Sequence, residues 1–165
     1  MTPAAVAVIR PTALRSNLDR VRELAPGCSV LAVIKANAYG HGLIQVARIL
    51  EEAEAFAVAR LEEAIQLREA GIHKRLVILG GCLTAEELRA ASDLALDVVV
   101  HSTQQATLLE LTAVAAPMAC WLKVDTGMGR LGVEPAAVPD LLRRLRAASA
   151  VRSLTLMTHL GCADD

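Results

Sequence analysis

A parallel α/β fold is what the sequence predicts, on three observations. Apolar, β-branched-rich runs recur along the 165 residues. Segments with helical periodicity lie between them. The apolar runs are continuous rather than alternating, as strands covered on both faces require. They fall at Ser29–Ala36, Ala55–Ala59, Leu76–Leu79, Asp97–Val100, Ala119–Val124 and Leu154–Leu160. The length suits one domain over residues 1–165.

In chain order, the first run ends on Lys35 and enters a polar, Gly-rich turn that leads to a helix start at Gly42-Leu43. After the second run, "LEEAIQLREAG" sets Leu61, Ala64, Ile65 and Leu67 on or near one face, with Gly71 as its stop. After the third, "TAEELRAA" places Thr84 three residues before Glu87, a capping box. After the fourth, "STQQATLLEL" repeats the pattern with Ser102 and Gln105. Beyond the fifth, Pro135 suits a first helical turn before "AAVPDLLRRLRAA", with Pro139 leaving the start open.

The repeat of strand and helix suits either a doubly wound sheet or a (β/α)8 TIM-type barrel. Lys35, Arg60, Gly80-Gly81, His101, Lys123–Asp125 and His159 fall at or near the C-terminal ends of successive strands. In a barrel those ends converge on one mouth, whereas an open sheet gathers its functional groups near a switch point. No P-loop pattern occurs, and the barrel is favoured. Six strands are countable where closure needs eight, so the expected barrel is incomplete.

Composition excludes some functions. Seventeen Lys and Arg against eighteen Asp and Glu, mixed along the chain, give a net charge of −1. That argues against a nucleic-acid or anionic-membrane partner. No apolar run reaches the roughly 18 residues of a membrane span. The N-terminal run breaks at Arg10, too soon for a secretory core; a cytoplasmic domain is the expectation. Cys28, Cys82, Cys120 and Cys162 form no CxxC pair, and three sit in or beside apolar strands. Buried free thiols are expected, with neither disulfides nor a metal site.

Within "AVIKANAYGHG", Ala32 to Gly42, an amine ends a buried run. Desolvation there lowers a lysine pKa and favours Schiff-base chemistry; for an isolated lysine, snorkelling to solvent is the ordinary reading. Tyr39, the sole tyrosine, and free N–H groups at the following helix start could hold a phosphate.

This stretch resembles the pyridoxal-phosphate signature of bacterial alanine racemases. Two further blocks, "WLKVDTGMGRLG" at Trp121 to Gly132 and "MTHLGCADD" at Met157 to Asp165, are similar to that family in the same order. The resemblance implies pyridoxal-phosphate-dependent interconversion of L- and D-alanine, supplying D-alanine for peptidoglycan, in a homodimeric enzyme. It implies that Lys35 carries the cofactor and serves as one of two bases at Cα, and that Tyr39 bonds the phosphate. Arg130 would contact the phenolic side of the ring and help position a catalytic tyrosine. His159 would sit behind the ring and orient an arginine. Lys123 matches a lysine carbamylated in many family members. A carbamate there would turn repulsion from Arg130 into an ion pair.

Each residue has a plainer reading. His159 could be a core histidine on a buried strand end. Lys123 and Asp125, two apart, could form a structural ion pair. Gly127, Gly129 and Arg130 could be a tight loop with a solvated charge. Surface or supporting positions suffice for His41 and His101, and core packing for Trp121.

In the family the second base is a tyrosine from the partner subunit's C-terminal β domain. Here the only tyrosine is already assigned to the phosphate. The remaining barrel strands and the C-terminal domain are therefore expected to be absent, and the run Ala4–Ile9 to be a strand that pairs with that domain. Two alternatives stay open: a non-catalytic pyridoxal-phosphate-binding module, and an assembly fragment active only with the missing part.

Overall fold

Strands form where β-branched residues cluster, and the segments between them coil over the sheet. The computed structural model describes residues 5–163. Its elements are α1 (Pro11–Leu24), β1 (Leu31–Val33), α2 (Lys35–Tyr39), α3 (Leu43–Ile49), β2 (Ala55–Val58), α4 (Leu61–Glu69), β3 (Leu76–Ile78), α5 (Ala85–Asp93), β4 (Asp97–Val100), α6 (Thr103–Leu111), β5 (Met118–Val124), a 3-10 turn (Pro135–Ala137), α7 (Val138–Ala147) and β6 (Val151–Thr158). The strands make one parallel sheet in the order β1-β2-β3-β4-β5-β6. Sequential parallel strands alternating with helices are the pattern of a partial TIM-type barrel.

Helix starts follow the expected polar residues with one shift. Thr84 Oγ1 accepts the Glu87 N–H at 3.2 Å and Ser102 Oγ accepts that of Gln105 at 3.3 Å. The return arms reach one residue further back than a capping box predicts. Glu87 accepts from Leu83 N at 2.6 Å, and Gln105 from His101 N at 2.8 Å. At α4 the cap residue is Arg60, with no side-chain cap, and Glu63 alone gathers the N–H groups of Ala59 and Arg60. Pro139 lies in the first turn of α7, where its missing N–H costs nothing.

The sheet separates two apolar layers. Phe56, Leu76, Ile78, Val98, Val100, Cys120 and Leu122 pack beneath the helices. Ala57, Val77 and Val99 face the other side with Leu31, Leu79, Trp121 and Met157. At the lower end of this inner face, buried Asp97 accepts hydrogen bonds from Trp121 Nε1 (3.0 Å) and Arg75 Nε (2.7 Å). The Arg75 guanidinium lies 5.4 Å from the Trp121 ring centre.

Three expectations are corrected. β6 starts earlier than Leu154 and is exposed along much of its length, with Leu156 53% accessible. Among the described residues it pairs only with β5, so one backbone edge is bare there. Residues 5–9 of the run Ala4–Ile9 carry no strand, and Ala4 lies outside the described residues. Cys82 and Cys120 are buried, and burial pushes both thiols up to about 12, but Cys28 and Cys162 are exposed. No described helix is long and apolar enough to cross a membrane.

Candidate active site at the strand ends

Beyond β1 the backbone does what few L-residues do. Ala36, Asn37, Ala38 and Tyr39 take φ of 53°, 54°, 53° and 54°, a left-handed turn where the sequence suggested a loop. Each left-handed residue costs roughly 1–2 kcal/mol, so four in a row persist only if fastened. The Ala38 N–H donates to Ile34 O (2.8 Å) and that of Gly42 to Asn37 O (2.9 Å). Asn37 Oδ1 accepts from Leu43 N (2.8 Å) at the start of α3. His41 Nδ1 lies 2.9 Å from Ala38 O, which gives that histidine a structural position. Glu63 Oε1 accepts from Ala36 N at 2.6 Å. Glycine is needed next, because Gly40 and Gly42 sit at φ +86° and +95°.

The turn presents Lys35 and Tyr39 to an open cleft of about 600 Å³ that Lys123, Arg130, His159 and Arg60 also line. All five residues singled out in the sequence therefore border one cavity. Their depths differ from expectation. Lys35 is half-buried, not enclosed, because β1 is an edge strand. Tyr39, Arg130 and His159 are exposed. His159 follows the bare strand β6, so it is not a core histidine.

Lys123 is the buried cation, only 9% exposed on β5. Desolvation first, then the charges of Arg130 and Lys35, hold its pKa below the usual lysine value, against an opposing pull from Asp125. The structural ion pair that was the plainer reading of Lys123 and Asp125 does not form. Asp125 instead accepts the N–H groups of Gly127 (3.0 Å) and Gly129 (3.0 Å), and these bonds hold its carboxyl below the usual range. The loop before Arg130 is thus an Asp-pinned turn.

The rim opposite Lys35 is also built from the backbone outward. Gln105, nearly buried, donates to Gly80 O at 3.0 Å, and His101 Nε2 lies 3.0 Å from the same oxygen. A side chain at Gly81 would meet Val99 O at 2.2 Å. Asn37 and Glu63 were not singled out in the sequence, and Gln105 only as a helix-cap partner. Their signal was faint: a polar residue four or five places past a strand end, acting on backbone.

A primary amine, a phenol and further cations around one cleft suit a small anion with an electrophilic carbon. Residues 9–165 match the family described as alanine racemase, N-terminal domain. An alanine racemase of Nitrosococcus oceani is 50% identical over 160 residues, which is 96% of this chain and 45% of that protein. The biosynthetic alanine racemase of Salmonella typhimurium is 45% identical over 163 residues, 98% of this chain and 45% of its own. The crystal structure of the biosynthetic alanine racemase from Pseudomonas aeruginosa superposes with a TM-score of 0.88 at 41% identity, covering 93% of this chain and 43% of that one. The chain spans under half the length of the curated relatives it matches.

Proposed function

The chain belongs to the alanine racemase N-terminal domain family, and from that premise we propose that residues 1–165 form the pyridoxal-phosphate-binding barrel portion of an alanine racemase. The observation that carries the reading is the convergence of Lys35, Tyr39, Lys123, Arg130 and His159 on one cleft. The donor set fits the cofactor: an amine for its aldehyde, a phenol for its phosphate, a guanidinium for its phenolic oxygen. When bound, the cofactor supplies the electron sink that loosens the Cα proton of alanine.

The protein's own residues do the rest. Lys35 would hold the cofactor through its amine and, as the free amine, would exchange a proton at Cα on one face. Tyr39 donates to the phosphate. Arg130, carried on the Asp125-pinned loop, holds the phenolic oxygen and helps position the second base. His159 would orient an arginine toward the cofactor. Lys123, as a free amine, takes up carbon dioxide with loss of a proton, and the resulting carbamate pairs with Arg130 and relieves the crowding of cations.

The opposite face of Cα needs its own base, and Tyr39 is engaged. That role falls to a tyrosine of the C-terminal domain of the partner subunit in a homodimer. The product, D-alanine, serves peptidoglycan in the cytoplasm. The 165 residues alone are expected to bind the cofactor without racemising alanine.

The test is pyridoxal phosphate followed by borohydride and peptide mapping. An adduct at Lys35 supports the reading; adducts scattered without preference among the lysines count against it. A second reading, an assembly fragment, is favoured by the bare edge of β6 and by Leu131, Leu156 and Leu160, which are exposed. Racemase activity regained on adding the remaining part of such an enzyme in trans would select it over a stand-alone cofactor module.

A further inference from the structure

We infer that Glu63 is the positioning residue of the Lys35 amine: its carboxylate fixes the peptide joining Lys35 to Ala36 and thereby aims the lysine into the cleft. The inference rests on the reading of Lys35 given above.

The geometry is specific. Glu63 Oε1 accepts from Ala36 N at 2.6 Å, while Oε2 accepts from Ala59 N at 2.7 Å and Arg60 N at 3.3 Å. One carboxylate thus ties the ends of β1 and β2, which are neighbours in the sheet. Charge-assisted bonds to backbone N–H are among the stronger ones. The tied peptide is also the one at which the chain enters its left-handed turn, since positive φ begins at Ala36. Rotating that peptide would swing everything attached to the Lys35 Cα. Neither near relative of glutamate can replace it. Glutamine would turn an NH2 group toward backbone N–H donors, and aspartate is one methylene too short to span both loops.

The chain has only three lysines, Lys35, Lys74 and Lys123. Lys74 donates to Ala53 O (2.6 Å) and Glu51 O, away from the cleft, and serves as an internal control. The experiment treats the 165-residue chain, Glu63→Gln, and Glu69→Gln at the far end of α4 with pyridoxal phosphate. Each amine condenses with the aldehyde with loss of water, and borohydride delivers the hydride that fixes the new C–N bond. For Glu63→Gln the saturating rate of Lys35 capture should fall about tenfold or more. The half-saturating concentration should move less than threefold, and Lys74 labelling and α4 amide protection should match the unsubstituted chain. Glu69→Gln should behave as unsubstituted.

A Lys35 rate within twofold of the unsubstituted chain overturns the Glu63 role and leaves the cofactor reading intact. Equal loss at all three lysines with α4 still protected overturns it as well, because the effect is then not specific to Lys35. No Lys35 adduct in the unsubstituted chain overturns the cofactor reading, and this inference with it. If Glu63→Gln does not fold, amide exchange in the unsubstituted chain decides: a protected Ala36 N–H sustains the tie, and exchange at the free-peptide rate refutes it.

Discussion

Lys123 is a buried cation with Arg130 and Lys35 as its charged neighbours. Its proton is disfavoured in the folded chain, so between its depressed pKa and the ordinary lysine value the unfolded chain binds a proton that the folded chain has released. Stability therefore rises with pH through that window. In buffer kept free of carbon dioxide, where Lys123 stays an amine, Lys123→Met should melt about 3 °C higher at pH 7, and the gain should shrink as pH climbs through the window. Thermal melts at several pH values check this; a gain independent of pH would refute it. Isotopically labelled bicarbonate should give a carbamate resonance in the unsubstituted chain and none in Lys123→Met. At this scale the sequence was informative about identity and poor about depth. Lys35, Tyr39, Arg130 and His159 stood out because their blocks are distinctive. The depth expected for Lys35 and His159 was wrong because nothing in a single apolar run reveals that β1 and β6 are edges.

The left-handed turn is the element on which the site depends. Asn37 serves it twice, tolerating positive φ and capping α3 through Oδ1. Asn37→Ala should cost about 1–2 kcal/mol in urea unfolding and slow Lys35 capture. Glycines give a second contrast. Gly71→Ala, at φ +79° in open space, should cost about 1 kcal/mol from backbone strain alone. Gly81→Ala, whose Cβ would lie 2.2 Å from Val99 O, should cost about 3 kcal/mol or more. Similar losses for the two would mean that the rim can give way. Helices α4 to α7 and the Thr84 and Ser102 caps were legible because caps are local chemistry, whereas α1 was not expected. The role of Glu63 was not, since it depends on β1 and β2 lying side by side.

Across the whole molecule, the inner face runs from the Asp97–Arg75–Trp121 cluster at one end to the cleft at the other. Asp97→Ala would strip Arg75 and Trp121 of their shared acceptor and should cost about 2–3 kcal/mol. Because the cluster lies away from the cleft, chemical denaturation should register the change while Lys35 labelling in the folded fraction does not. The bare edge of β6 makes its own forecast. Leu156→Lys should weaken concentration-dependent association in light scattering without lowering the melting point, as edge charges do. The strand order has a last consequence, in time rather than space. Every strand pairs with the one made just before it, so nothing in the first two units waits for the later ones. On a ribosome that delivers residues one by one, Lys35, its turn and the Glu63 tie can assemble as soon as α4 emerges. The proposed anchor for the cofactor is then ready while most of the sheet is still being synthesised.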